Sequence, residues 1–249
     1  MKNRIIKLSA FLSSLLVFTA LFFSQTLSIL ELYRLAPKKL LSTKHNIIKK
    51  GNKYIGTITG EASEGVVYTI NTTTNRMEST QEYFRDSHLG VTTFAAKQTD
   101  KKGNNYLVIY FDKITGGTGV KSSEIKALQY NRGKWLDRTS SVIPVIEISQ
   151  FMKTGFDKKL LKKLSGASGI FIKEYKIPLK TSEYIAVFLT ATWLPSQVNP
   201  PQHEIIENIS QQIRYAFICK WDKNKGQFSI VKKVEKDELD SALESYNAR

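Results

Sequence analysis

Ala127-Leu-Gln-Tyr-Asn-Arg-Gly-Lys-Trp-Leu-Asp-Arg-Thr139 consists of two short aromatic-bearing runs on either side of a turn signal, Asn131-Arg-Gly133. Aromatic and half-polar runs suit a pleated surface buried on one face, and a turn glycine supplies the positive φ that lets two strands fold back on each other. The stretch predicts a β-hairpin. Tyr215-Ala-Phe-Ile-Cys-Lys-Trp-Asp-Lys-Asn-Lys-Gly-Gln-Phe-Ser-Ile-Val231 repeats the plan, with Gly226 standing before Phe228 as Gly133 stands before Trp135.

Working outward, each hairpin follows a pair of strand-like runs. Val91–Lys97 and Tyr106–Phe111, joined by Asp100-Lys-Lys-Gly-Asn-Asn105, precede the first; Ile170–Ile177 and Tyr184–Thr192, joined by Pro178–Glu183, precede the second. The fold expected is mainly β with minor helix: two related antiparallel four-stranded meanders, arranged as a sandwich or partial propeller. Duplication with loop growth explains the shared order, and so does the alternation common to all antiparallel sheets; both readings stand. Tyr54–Thr59 and Val66–Ile70 add strand-like runs around a Gly60–Gly65 turn, and Asn71–Asn75 breaks the pattern.

Two stretches have helical spacing instead. Asp157–Gly166 places Leu160, Leu161 and Leu164 on one face and four lysines elsewhere, so its basic face is read as solvated and its apolar face as packed on a sheet. Lys236–Tyr246 carries Leu239, Ala242, Leu243 and Tyr246 at the same period, which predicts a terminal helix. The organisation expected is therefore a leader or anchor at 1–28, a lead-in segment at 29–53 and a β-rich domain at 54–249. Within that domain, units 54–144 and 167–234 are linked by the helical segment 145–166.

The N-terminus carries Lys2, Arg4 and Lys7, then an uncharged apolar run from Leu8 to Phe23, then the small and polar Ser24-Gln-Thr-Leu-Ser28. That order is the grammar of a secretory signal peptide, and Thr26 and Ser28 both suit the small-residue positions of a cleavage site. If Ile29-Leu30 are counted, the run becomes a single-span anchor. The expected location is periplasmic or secreted after cleavage, or the membrane through one N-terminal hydrophobic helix. The single cysteine, Cys219, excludes an internal disulfide framework and alternates with Phe217 and Trp221, as a buried structural thiol would.

The 249 residues carry 37 Lys and Arg against 22 Asp and Glu, a formal charge of +15. Such a balance draws the chain toward anionic material: an envelope polymer, lipid head groups or another protein. The lysines come in scattered doublets, which points away from nucleic acid. Oligomeric state is not legible.

No catalytic or metal motif is complete, and no cofactor is implied. His203-Glu-Ile-Ile-Glu207 places a histidine and a carboxylate one helical turn apart but lacks the second histidine of a zinc motif, so it reads as a surface helix. Ile114-Thr-Gly-Gly-Thr-Gly-Val-Lys-Ser-Ser123 misses the phosphate-loop pattern because Val120 separates Gly119 from Lys121; it reads as a flexible connection with exposed amides. Asp222–Gly226 opens like a calcium loop, but its glycine is early and Lys233 stands where the bidentate Glu belongs. Glu82, Asp86 and His88 have acid-base chemistry without a spacing that gathers them. Trp193, before Leu194-Pro195 at the mouth of the longest expected loop, is a candidate platform for a sugar or peptide. Trp193, His203 and Lys121 are the candidate binding residues. The function expected is a non-enzymatic binding or structural protein of the envelope or secreted space. A hydrolase or enzyme inhibitor, with a site built from loops 116–123 and 193–207, is the second reading.

Overall fold

Both hairpins form, and each ends a longer meander. The computed structural model describes residues 27–41, 46–57, 66–80, 91–115, 120–163, 171–178, 180–191 and 200–247. Eight antiparallel strands follow one another in one sheet: β1 (Asn46–Lys50), β2 (Lys53–Thr57), β3 (Val66–Asn71), β4 (Arg76–Thr80), β5 (Val91–Thr99), β6 (Asn105–Thr115), β7 (Val120–Asn131) and β8 (Lys134–Asp137). Four more make a second sheet: β9 (Phe171–Lys176), β10 (Tyr184–Ala191), β11 (Tyr215–Asp222) and β12 (Gln227–Glu235). The two expected four-strand meanders are thus β5–β8 and β9–β12, and the first continues into β1–β4. Five α-helices are described: α1 (Ile29–Leu35), α2 (Thr139–Val142), α3 (Lys159–Lys163), α4 (Pro200–Ser210) and α5 (Leu239–Asn247).

The β7–β8 hairpin closes in two residues, with Asn131 opposite Lys134 and positive φ at both Arg132 (48°) and Gly133 (80°). Two left-handed residues in succession match the twist of the flanking strands. Tyr130 then lies opposite Trp135, ring centroids 5.0 Å apart. The β11–β12 turn is longer: the Asp222 carboxylate accepts the Asn224 amide at 2.9 Å, and Gly226 completes the turn at φ 65°. The resemblance to a calcium loop is this hairpin.

Alternation sorts the layers. Along β6, Tyr106, Val108 and Tyr110 enter the core shared by the two sheets, while Leu107, Ile109 and Phe111 face a second core beneath α1. Along β11, Phe217, Cys219 and Trp221 enter the shared core, and Ala216 and Ile218 face a third core beneath α5. The sheets therefore stack as a sandwich with a helix on each outer face, which is the sandwich alternative of the sequence reading and not the propeller-like one. The expected terminal helix is α5, with Leu239 and Leu243 buried and Ala242 and Tyr246 packed beside them.

The described residues of segment 29–53 belong to this structure. Ser28 and Glu31 cap α1 reciprocally, the Ser28 amide donating to Glu31 Oε2 at 2.7 Å and the Glu31 amide to Ser28 Oγ at 3.3 Å. Ile29, Leu32 and Tyr33 are fully buried against the eight-stranded sheet, and β1 forms its edge. The hydrophobic helix expected over 1–28 lies outside the described residues except for Leu27 and Ser28. Among the described residues, no helix is long and apolar enough to cross a membrane.

At one end, turns of the two sheets interlock. The Lys101 amide donates to Lys223 O at 2.8 Å, Trp221 Nε1 donates to Thr99 O at 3.0 Å, and Gln98 Nε2 donates to Ser182 O. Trp221 stacks edge-on against both Tyr106 and Phe228, each pair 5.2 Å between centroids. Aromatic pairs of this kind contribute about 1 kcal/mol each beyond the area they bury.

Candidate functional site

Between α2 and α3 the chain leaves the first sheet and runs along the start of β11. Met152 and Ile213 form a β-bridge, the Arg214 amide donates to Phe151 O at 2.9 Å, and the Lys153 amide donates to Gln212 O at 2.9 Å. Phe151 and Met152 anchor this segment in the shared core, Phe151 lying edge-on to Phe217 at 5.1 Å. The chain then turns through Thr154 and Gly155, whose φ of 83° suits glycine, and enters α3 at Lys159. Leu160 and Leu161 pack on the core as expected; Leu164 lies outside the described residues.

The turn and the edge strand β12 enclose a hollow of about 340 Å³. Lys153, Lys158 and Lys233 line it together with Ser149, Gln150, Phe156 and Phe217, and no carboxylate is among the lining residues. All three lysines are exposed. Lys233 lies opposite Phe217 in the β11–β12 ladder, and its ammonium sits 3.5 Å from the centre of the Tyr215 ring. A cation over an aromatic face is held without being neutralised, so its charge stays available to a ligand. An edge-strand lysine also obstructs pairing with another sheet, and Lys233 serves that role as well.

The carboxylates next in sequence to the lining residues are committed elsewhere. Asp157 Oδ1 accepts the Lys159 amide at 2.9 Å at the start of α3. Glu147 and Gln150 form a capping box around the preceding short turn. Glu235 accepts Arg214 Nε at 3.1 Å and Nη2 at 2.8 Å, a two-pronged pair that raises the arginine's pKa. Residues 153–163 thus present Lys153, Lys158, Lys159, Lys162 and Lys163 against a single capping aspartate. The field over the hollow is positive, and its reach is about one Debye length, ~8 Å at physiological salt.

A second cavity, about 290 Å³, lies where the β5–β6 and β11–β12 turns meet, and its lining includes Asp100, Tyr106, Gln129, Arg138 and Gly226. Its polar groups satisfy one another. Arg138 Nε donates to Gln129 Oε1 at 3.1 Å, Gln129 Nε2 to the Tyr106 hydroxyl at 3.1 Å, and that hydroxyl to Asp100 Oδ2 at 3.1 Å. Burial raises the Asp100 pKa, but hydrogen bonds from Asn104, Tyr106 and Lys102 outweigh it and hold the carboxyl below its ordinary range. Burial, reinforced by Asp100, pushes the Tyr106 phenol up to about 12. A phenol held neutral and a carboxylate held charged form a stable clamp and a poor acid-base pair.

The candidates from sequence fare differently. His203 lies on α4, where Ile206 and Ile209 are fully buried in the shared core; the helix begins at Pro200-Pro201, where proline suits the first turn. The helix expected at the surface is therefore half core. His203 lines neither cavity, and among the described residues no three His, Cys, Asp or Glu side chains gather to hold a metal. Lys121 is in β7 opposite Ile114, its side chain outside the described residues. Most of the stretch expected as a flexible connection at 114–123 is strand, because β6 runs to Thr115 and β7 starts at Val120. Trp193, Glu82, Asp86 and His88 lie outside the described residues. Sequence reasoning missed the grouping of Lys153, Lys158 and Lys233: its only sign was the lysine-rich run after Lys153, and Lys233 joins across eighty residues through the β11–β12 register.

No protein-family model matches the chain, and comparison with curated proteins and with solved structures gives no match.

Proposed function

We propose that this chain is an exported, non-enzymatic binding protein that holds an anionic polymer of the cell envelope in the lysine-lined hollow beside β12. The observation that carries the reading is the convergence of Lys153, Lys158 and Lys233 on one concavity with no carboxylate among its lining residues. A repeating phosphate or carboxylate chain suits such a site, since successive charges engage lysines that are each weak alone. One charge pair at 4 Å is worth about 1 kcal/mol in bulk water. Three make a salt-dependent affinity. Phe156 and Phe217 give the floor an apolar surface for the polymer's carbon backbone.

The test is retention of the full chain on immobilised polyphosphodiester and polyuronate over a salt series, with polymer breakdown followed in parallel. Saturable binding that weakens steeply with salt, without breakdown, supports the reading. Turnover of either polymer favours the hydrolase. Binding only to anionic lipid vesicles assigns the hollow to head groups instead.

A further inference from the structure

The two cavities lie at opposite ends of one edge strand. Gln227 lines the cavity between the turns, and Lys233, six positions later on β12, lines the lysine hollow. At about 3.3 Å per residue the separation is ~20 Å. We propose that the cavity between the turns is a second anion subsite, taking a phosphoryl group, and that one phosphodiester chain lies along β12 and engages both. The inference rests on the reading of the hollow as a polymer site; it adds a second point of attachment and a minimum length of ligand.

Three cations line this second cavity: Lys102 from the β5–β6 turn, Lys225 from the β11–β12 turn, and Arg138, the residue after β8. All three are exposed. Asp100 is the one carboxylate among the lining residues, and its oxygens are fully engaged. Oδ1 accepts the Lys102 and Asn104 amides at 2.9 Å each, while Oδ2 accepts Asn104 Nδ2 at 2.8 Å and the Tyr106 hydroxyl at 3.1 Å. A carboxylate so occupied has little capacity left to hold an ammonium. Gln129 fixes Arg138 through Nε, and among the described residues the two outer nitrogens of that guanidinium have no hydrogen-bond partner. Such a fork matches two oxygens of one phosphate. The Lys225 ammonium stands 3.7 Å from Asp222 Oδ2, an exposed pair that yields to a better anion at little cost.

The strand between the two sites is a passable track. In the ladder Phe228, Ile230 and Lys233 lie opposite Trp221, Cys219 and Phe217, so all three belong to the face turned toward the first sheet. From Gln227 to Val234 the strand carries no carboxylate, and Ile230 and Val231 are exposed between the two cationic ends. Carbon units of a polymer suit that middle, and its phosphates suit the ends. A ligand that reaches both sites makes the second contact intramolecular, which raises affinity by about 10²–10⁴ over either site alone.

The experiment measures the affinity of the full chain for glycerol phosphodiester oligomers of increasing length at physiological salt. Lys102→Gln with Lys225→Gln removes two cations whose ammoniums make no hydrogen bond in the fold, and Lys49→Gln with Lys50→Gln removes equal charge from the β1–β2 hairpin. Arg138→Gln is a further variant, read only if its urea midpoint matches the parent; the lysine pairs decide otherwise. Affinity per phosphate should rise about 100-fold or more once the oligomer spans ~20 Å. On long chains K102Q/K225Q should lose about tenfold and K49Q/K50Q less than about threefold, while a dimer, still held by the hollow, changes little for either. Affinity per phosphate that is independent of length, or equal losses for the two lysine pairs on long chains, overturns the inference; the polymer reading then stands on the hollow alone. Absence of binding at every length overturns the polymer reading and this inference with it.

Discussion

Replacing Gly226 with alanine tests the interlock between the two sheets quantitatively. A Cβ built at Gly226 meets the Tyr106 hydroxyl at 3.0 Å and Asp100 Cβ at 3.4 Å, and the backbone φ is +65°. The left-handed backbone alone costs a non-glycine residue about 1–2 kcal/mol. The crowding adds to that, because the Tyr106 hydroxyl must shift from Asp100 or Gln129 and lose at least one bond worth about 1 kcal/mol. Gly103 and Gly133 are internal references, with φ of +81° and +80° and nothing within 4 Å of the added carbon. In urea unfolding followed by tryptophan fluorescence, Gly226→Ala should cost about 2–4 kcal/mol and each reference about 1–2. The excess should vanish in a Tyr106→Phe background, which removes the crowded oxygen. Equal losses at all three glycines, or the same Gly226→Ala loss with and without the hydroxyl, would refute the interlock.

Three further outcomes are open to measurement. Burial pushes the Cys219 thiol up to about 12 and leaves the residue fully inaccessible, so thiol reagents at pH 8 should label it only as the protein unfolds; rapid labelling of native protein would contradict its place in the core. Burial likewise raises Tyr106 and Tyr175 to about 12, so the unfolded chain ionises first and stability should be full below pH ~8.5, falling as pH climbs toward 12. At the acid end Asp100, Asp137 and Glu31 are held below their ordinary values, so stability should be intact above pH ~4.5 and fall as the pH drops through their folded-state values. Urea midpoints across pH read both arms. Leu243→Ala should cost about 2–5 kcal/mol by emptying the core under α5, and a loss below 1 kcal/mol would mean that the helix is not docked.

The strands were legible where side chains alternate and turns carry glycine, which is why both hairpins and the runs beside them could be read. β4, Arg76-Met-Glu-Ser-Thr80, was not, because its one apolar residue, Met77, which faces a core, gives no period. β1 was hidden for a similar reason: Ile47 is buried, Ile48 exposed, and lysines come next, so the run resembles a linker. α1 is seven residues of mixed apolar and charged character after a strongly apolar leader, and its burial depends on a sheet that forms far along the chain. α4 was legible only as a surface helix at His203–Glu207, because Pro200-Pro201 reads as loop although it forms the first turn. The lysine hollow could not be read at all, since it depends on the β11–β12 register, shifted by a bulge near Cys219, that brings Lys233 opposite Phe217.

Removing the same amount of charge from two different places tests binding at the hollow most directly. Lys153, Lys158 and Lys233 are replaced together by glutamine in one variant; Lys49, Lys50 and Lys53, exposed at the β1–β2 hairpin, are replaced in another. Affinity of each full chain for polyphosphodiester is then measured at physiological salt. The expected result is a loss on the order of 10–100-fold for the first variant, from about 0.5–0.9 kcal/mol per ion pair once salt screens the bulk-water value, with the second within about threefold of the parent. Equal losses in the two variants would mean that net charge alone does the binding, and the hollow would have no part in it.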